Sequence, residues 1–502
     1  MKRPAHPAVG VFVILWATYA YVWQGRDWNS ASRLMLTYAW VDRGTVRIDG
    51  LDDQTRDIAR YQGHWYTDKT PGFSTAGIVP YWLARTIGHL PPHPLDRPGF
   101  AFWPADYWIT LGTSGLASAL TGAILAALAL RLGCPPRGAA LLGLAYGLAT
   151  PAAFYATVAY GHQLAAFGLF GALALILGPG GRVRLRAGLA GFLASYASVV
   201  EIQVGPVSAI LGLSLVALVA LGRRPAACLA TFSLGAALPT ALLLGYNALA
   251  FDSPWRMGYF FLVMDRFKEV HSSANPLGLN RPDGTKVAEL LWGERRGLIL
   301  FAPILTLAPF GLVALGFARR WALAALITLV CLAIFLVNLS YPEWTGGWTT
   351  GPRLLVPMLP FACLAVAPLL RVGGRPMLAL AGGLAIVGGV EMLLYGGVGG
   401  RINDQVARPF RDAVWPMWRG ERLPGWMYGH RFAPNLVTLA LPDLERTLGP
   451  AWAGLTFAPL VGFQAVAIVI LWRILPPRAV ARPPATVGGS APPDQADAEE
   501  PG

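Results

Sequence analysis

The sequence predicts an all-α polytopic membrane protein of about twelve transmembrane helices, with large outer-face loops and membrane-lying helices in the first of them. Three observations carry that prediction. Only 13% of the 502 residues are charged, against about 25% in a soluble domain. Apolar runs of transmembrane length recur along the chain. Lys and Arg gather in alternate short connections, as the positive-inside rule requires.

Twelve apolar runs can be marked, at about 9–24, 108–131, 137–156, 159–179, 187–203, 204–222, 227–249, 298–317, 321–339, 353–370, 376–397 and 452–475. The opening MKRPAHP leads into the first run, and Trp23 and Arg26 follow where a small-residue cleavage site would be needed. A retained first helix is therefore expected. No long polar loop separates the runs within 187–222. Residues 1–475 form a single transmembrane domain on this reading. The segment 476–502 is rich in Pro, Ala and Gly, ends in acids, and is expected to be a disordered cytoplasmic tail.

With the N-terminus inside, the inner connections hold Lys2, Arg3, Arg131, Arg137, Arg182, Arg184, Arg186, Arg223, Arg224, Arg319, Arg320, Arg371, Arg375, Arg473 and Arg478, with no acid among them before the tail. Both termini are then cytoplasmic. The net charge of +13 would fit a nucleic-acid partner, but the basic residues are dispersed at helix ends, so no nucleic acid is expected. Cys134, Cys228, Cys331 and Cys363 all lie in or beside apolar runs, which gives neither a disulfide framework nor a metal cluster.

The large outer segments are 25–107, 250–297 and 398–451, with a short one at 340–352. One long loop directly after the first helix, and no repeat of halves, favours an outer-face enzyme over a transporter. In that loop Ser32 to Val41 reads as an amphipathic surface helix stopped by Gly44. Thr45 to Ile48 reads as extended and Asp49-Gly50 as a turn. Residues 73–87, with Pro80 and Arg85, read as a second surface helix. Nine acids occupy the loop. An Asp in a partly desolvated pocket beside the bilayer has the pKa and position that a general base needs.

Other polar residues fall at the same face. Glu201 ends an apolar run, and intramembrane carboxylates tend to be functional. His162 opens the run after Tyr160-Gly161. The densest motif is Tyr341-Pro342-Glu343-Trp344-Thr345-Gly346-Gly347-Trp348-Thr349-Thr350-Gly351-Pro352-Arg353. Its Trp residues suit interface anchoring. Arg353, with Arg296 in Glu294-Arg295-Arg296-Gly297, offers the planar fork that binds phosphate.

These residues carry a resemblance. Asn29-Ser30-x-Ser32-Arg33, Gly44 to Asp49, and Gly63-His64-Trp65-Tyr66-Thr67-Asp68-Lys69-Thr70-Pro71-Gly72 resemble motifs of the GT-C superfamily of integral membrane glycosyltransferases. Tyr160-Gly161-His162, Arg296-Gly297-Leu298 and Trp344-x-Gly346-Gly347-x-x-x-Gly351-Pro352-Arg353 extend it. Within the superfamily the chain is similar to bacterial relatives of protein O-mannosyltransferases and of the transferase that puts aminoarabinose on lipid A. The layout matches over most of residues 10–400.

The resemblance implies an inverting transfer of a sugar from a polyprenyl-phosphate donor to a lipid, glycan or protein acceptor. It places the protein in a bacterial inner membrane, among membrane lipids, with its active face periplasmic. In the relatives an acid just after the first helix is the base, in an Asp-Glu pattern ahead of Arg-Tyr. Here that stretch is Asn29-Ser30-x-Ser32-Arg33, so the base is Asp57, Asp49 or Asp27, with Asp57 favoured. Lys69 matches the lysine that contacts the donor phosphate, joined by Arg353 and Arg296. His162, Glu201, Tyr66, Asp68, Trp344 and Trp348 are the expected substrate contacts. No His/Cys set has metal spacing, while loop aspartates leave room for a Mg or Mn ion held by oxygen. The alternative functions are a lipid-linked glycan transporter or flippase, and a surface-glycan ligase or polymerase.

Overall fold

The computed structural model describes residues 6–94, 103–271, 275, 277–425, 427, 432–441, 443 and 453–477. Its main helices, single turns left unnumbered, are α1 (Pro7–Tyr21), α2 (Trp28–Arg43), α3 (Gly72–Thr86), α4 (Pro104–Arg131), α5 (Pro136–Leu148), α6 (His162–Ile176), α7 (Val183–Val200) and α8 (Gly205–Ala220). They continue as α9 (Ala227–Phe251), α10 (Ala308–Phe317), α11 (Trp321–Ser340), α12 (Leu359–Val372), α13 (Gly374–Gly397) and α14 (Ala458–Ile474). One antiparallel hairpin, β1 (Ile58–Tyr61) and β2 (His64–Thr67), interrupts this all-α pattern.

Every one of the twelve runs is helical in whole or part, but fewer are full spans. Among the described residues seven helices are long and apolar enough to cross a membrane: Pro104–Arg131, Ile202–Ala220, Ala227–Phe251, Trp321–Ser340, Arg353–Val372, Gly374–Gly397 and Gly454–Ile474. Two of the other runs are broken beside proline, which cannot continue the helical hydrogen-bond ladder. Pro151 follows α5, and Pro303 interrupts the run ending in α10. The 187–222 segment divides at Glu201, whose backbone is extended (φ −139°, ψ 99°), ahead of Pro206. The Arg353–Val372 span lies at the centre, mostly buried, whereas α9 and α13 expose most of their apolar residues, as lipid-facing helices do.

The connections sort to two ends. At one, Arg137 donates to the Leu475 carbonyl (3.0 Å) and Arg224 to the Gly178 carbonyl (2.9 Å). At the other, the outer segments are stitched together. Trp23 N–H donates to the Pro434 carbonyl, Val263 N–H to Ile58, and Thr349 N–H to Ile402. The segment 476–502 lies outside the described residues from 478 onward.

The first loop departs from its expected form in two places. The helix expected on the membrane surface is α2, stopped by Gly44 in the left-handed region (φ 63°), but it is enclosed by protein: every residue from Ser30 to Ala39 is buried. α3 closes over it, with Thr37 Oγ1 donating to the Ser74 carbonyl (3.1 Å) and Ser74 Oγ to the Arg33 carbonyl (2.7 Å). Thr45 to Ile48 is not a strand; the hairpin forms further on, around Gln62 and Gly63 with φ of 48° and 83°. Positive φ at both central residues is what a two-residue hairpin turn demands. The 73–87 segment is helical, as α3, and leaves Val79, Trp82, Leu83 and the C-cap Ile87 exposed.

Candidate active site

The hairpin register builds the centre. Ile58 pairs with Thr67, so one step beyond the ladder sets Asp57 opposite Asp68. Lys69 follows and bridges both carboxylates, at 3.0 Å from Asp57 Oδ2 and 2.7 Å from Asp68 Oδ2. Asp57 is held from behind, its N–H donating to Thr55 Oγ1 (3.1 Å), while Thr55 Oγ1 donates to the Trp28 carbonyl (2.7 Å). Ser32 on α2 donates to Asp68 (3.2 Å) and shares a 2.6 Å hydrogen bond with Thr67.

The residues after Lys69 dock this unit onto the membrane helices. Thr70 Oγ1 donates to the Val200 carbonyl (3.2 Å). A Cβ at Gly72 would lie 2.6 Å from the Val199 and Val200 backbone, so only glycine permits the approach. The chain therefore arrives beside Glu201, where α7 breaks. Glu201 accepts from Arg33 (2.8 Å) and lies 3.6 Å from His162 Nδ1. Gly161 makes room, since a Cβ there would lie 2.3 Å from Glu201 Oε1.

Asp27 anchors the other side. It caps α2 by accepting from Ser30 N–H (2.8 Å), accepts a short hydrogen bond from the Tyr160 hydroxyl, and pairs with Arg401 Nε at 3.3 Å. Arg401 also donates to the Arg26 and Gly25 carbonyls (2.9 and 2.8 Å). Arg353 lies over the Tyr160 ring at 5.3 Å. Among the described residues it has no carboxylate within ion-pair distance, and its buried Nε has no acceptor, although Glu201 and Asp27 act on it from further away. A half-buried guanidinium with free donors can take an anion directly.

The charges differ in kind. Burial pushes the Asp57 carboxyl above its usual range, and Asp68 adds to this; together they outweigh the pull of Lys69. Burial also acts to lower the Lys69 ammonium, but Asp57 and Asp68 raise it further, so it stays charged. For Asp27 burial acts upward, and Arg401, Ser30 and Tyr160 together bring it below its usual range.

The expected site residues thus divide. Asp57, Asp68, Lys69, Glu201, His162, Asp27 and Arg353 come together. Asp49 does not: it accepts from the Trp65 N–H (2.7 Å) and pairs with His64 (2.8 Å), which fixes the hairpin and leaves it half-exposed. Tyr66 is buried in the hairpin core against Phe251, with ring centroids 5.2 Å apart. Arg296 is spent on structure. It donates to the Thr345 and Gly347 carbonyls (2.8 Å each) and to its neighbour Arg295 (2.9 Å), clamping the turn before Arg353. Trp344 packs under Arg295 (5.3 Å), and Trp348 is exposed.

Arg33, Tyr160, Tyr259 and Arg401 complete the site beyond those expectations. Arg33 and Tyr160 stand inside the motifs already noted. Tyr259 arrives because Gly258 packs on the Asp68 backbone (2.9 Å to its Cα from a Cβ built there), and no local pattern marks it or Arg401. Among the described residues no group of three or more His, Cys, Asp or Glu could hold a metal ion. The Asp57 and Asp68 oxygens that would have to supply a Mg or Mn site are already bridged by the Lys69 ammonium, so the donor set does not fit one.

Next to the Asp27 side, an apolar cleft of about 910 Å³ runs between α1, α5, α13 and α14, from Arg375 at one end to Gln24 and Thr157 at the other.

No protein-family model and no curated protein sequence matches the chain. Among solved structures, ArnT from Cupriavidus metallidurans bound to undecaprenyl phosphate aligns with a TM-score of 0.49 and 16% identity, over 92% of this chain and 76% of that one. The same protein in the apo state gives 0.44 and 17%, over 92% and 75%. The apo oligosaccharyltransferase of Archaeoglobus fulgidus gives 0.45 and 12%, over 84% of this chain and 58% of that one. The chain is thus similar, at low identity, to two membrane proteins of known structure.

Proposed function

We propose that this chain is an inverting glycosyltransferase, of the GT-C kind its motifs resemble, that moves a sugar from a polyprenyl-phosphate donor to an acceptor hydroxyl at the periplasmic face of a bacterial inner membrane. The observation that carries the reading is one arrangement. A buried carboxyl of raised pKa, Asp57, stands beside Lys69, and both share a site with Arg353, whose buried Nε has no acceptor, at one end of an apolar bundle.

Asp57 accepts the acceptor's hydroxyl proton as that oxygen attacks the anomeric carbon. The new C–O bond forms on the face opposite the phosphate, the bond to the phosphate oxygen breaks, and the configuration inverts. Negative charge grows on the departing lipid phosphate, where Lys69 and Arg353 stabilise it in a site of low dielectric. A raised pKa makes Asp57 the stronger base. Asp27, depressed and held by three partners, is a positioning residue that joins α2 to Arg401. Arg296 positions Arg353 through the turn it clamps. The apolar cleft suits a polyprenyl or acyl chain, and its lateral position lets lipid enter from the bilayer.

The test incubates the purified protein in detergent with radiolabelled polyprenyl-phosphate sugars and follows release of the carrier. Release that depends on Asp57 and Lys69 is expected. Movement of intact donor across a proteoliposome membrane without cleavage would replace this reading with that of a flippase.

A further inference from the structure

A small cavity opens beside Lys69 that the mechanism above does not use. It lies between the break at Glu201, the end of α11, the start of the Arg353 turn and the 259–279 segment, with a volume of about 40 Å³. That is room for roughly three water molecules. Its polar lining is Gln203, Tyr259, His271, Asn338 and Tyr341, set among aliphatic side chains.

Asn338 is the telling member. It is fully buried near the end of an apolar helix, and neither its side-chain nitrogen nor its side-chain oxygen has a hydrogen-bond partner. The Gln203 amide nitrogen is likewise sealed and unbonded. Buried amides are nearly always satisfied, because leaving one unpaired forfeits its hydration. An apolar residue would fill Asn338's place at no such cost. The whole Asn338 amide and the Gln203 amide nitrogen, on the lining of one cavity, point to a ligand that supplies their partners.

The position says which ligand. Tyr259 and Tyr341 both lie within electrostatic range of Lys69, and Tyr341 within that of Arg353. Leu354, next to Arg353, lines the cavity. Whatever enters is attached to, or abuts, a phosphate held by those two cations. An isoprenoid chain would leave the amides unpaired. A sugar edge would not, since each hydroxyl both donates and accepts and one or two hydroxyls fit a space of that size. No Asp, Glu, Lys or Arg stands among the described residues of the lining, and Lys69 and Asp68 act on both tyrosines with opposite sign, so a charged substituent would lose its hydration with no direct partner.

We infer that Asn338 and Gln203 form a hydroxyl-reading subsite for the transferred group, and that this group is a neutral polyhydroxylated sugar. The inference rests on the transferase reading above. Its test compares wild type with Asn338→Leu and Gln203→Leu, using a polyprenyl-phosphate hexose, the matching amino-sugar donor, and bare polyprenyl phosphate. Wild type is expected to prefer the hexose donor at least about tenfold in kcat/KM. Asn338→Leu is expected to lose about tenfold or more with that donor, to keep its affinity for the bare carrier within about twofold, and to melt no lower than wild type. Equal loss of bare-carrier affinity would assign the cavity to the lipid instead. Unchanged kinetics in both variants would make it a water-filled void, and equal use of the amino sugar would overturn the neutral class. Wild type that turns over no donor at all would overturn the transferase reading, and this inference with it.

Discussion

Asp57 and Asp27 sit in one site, yet their surroundings push them apart. Asp57 stands at the open end of a hairpin, with a second carboxylate opposite and one lysine shared between them. Asp27 begins a helix, and a backbone N–H, a phenol and a guanidinium all serve its charge. Burial, with crowding by a like charge, raises the first, and three donors outweigh burial to depress the second. The difference teaches that proximity to substrate is not enough for a base. The carboxylate already satisfied by the protein has least reason to take a proton.

The largest expected effect breaks the comparison directly. Asp57→Asn should lower kcat about 10²- to 10⁴-fold, the range for removing a general base, with the melting temperature held or raised because a crowded buried charge is gone. Full carrier release by this variant would move the base elsewhere, Asp27 first. Lys69→Met comes next. It should lose turnover by about 10²-fold or more and weaken bare polyprenyl-phosphate binding, which isothermal titration would report; intact affinity would remove its phosphate role.

Asp27→Asn should show the opposite balance. Asn still caps a helix, but Arg401 loses its counter-charge, so about 2 kcal/mol of stability should go, with a smaller loss of rate. A melting temperature unchanged from wild type would show that Asp27 is no anchor. Acid sharpens the contrast through linkage. The Asp27 pKa is depressed on folding, so its stabilisation is present above the unfolded value of about 4 and is lost as pH falls through the folded one. The raised Asp57 pKa has the opposite sign: folding binds its proton more tightly, so ionising it costs stability as pH rises. The acid limb of kcat/KM should accordingly lie above pH 4 and vanish in Asp57→Asn. The smallest effect is expected at Asp49→Asn, within about threefold in kcat/KM, since Asp49 serves the hairpin and not the site. A loss as large as that of Asp57→Asn would undo the separation drawn between them.

Much of the architecture was legible along the chain. Each apolar run is helical because twenty apolar residues in a row have few other ways to satisfy their backbone. Their breaks fell beside Pro151, Pro206 and Pro303, residues visible in the sequence. Arg353 was marked by its chemistry, as a cation at a membrane end, and Lys69 by the motif resemblance. The hairpin was not, since Ile58–Tyr61 and His64–Thr67 are too short and mixed to announce a strand. Nor was the burial of α2, whose amphipathic spacing fits a membrane surface equally well.

The sequence by itself determined what is local: helix by composition, the helix stop at Gly44, the basic ends of the bundle, and a set of acids close to a lysine. Only the tertiary structure gives each acid its own environment. Asp27, Asp49 and Asp57 look alike along the chain, and their surroundings differ because folding brings Arg401, His64 and Lys69 to them from other segments. The same holds for Arg353 and Arg296, one left with an unbonded Nε and the other spent on three carbonyls. Electrostatics acts through space and solvent exclusion, and neither is written in the order of residues.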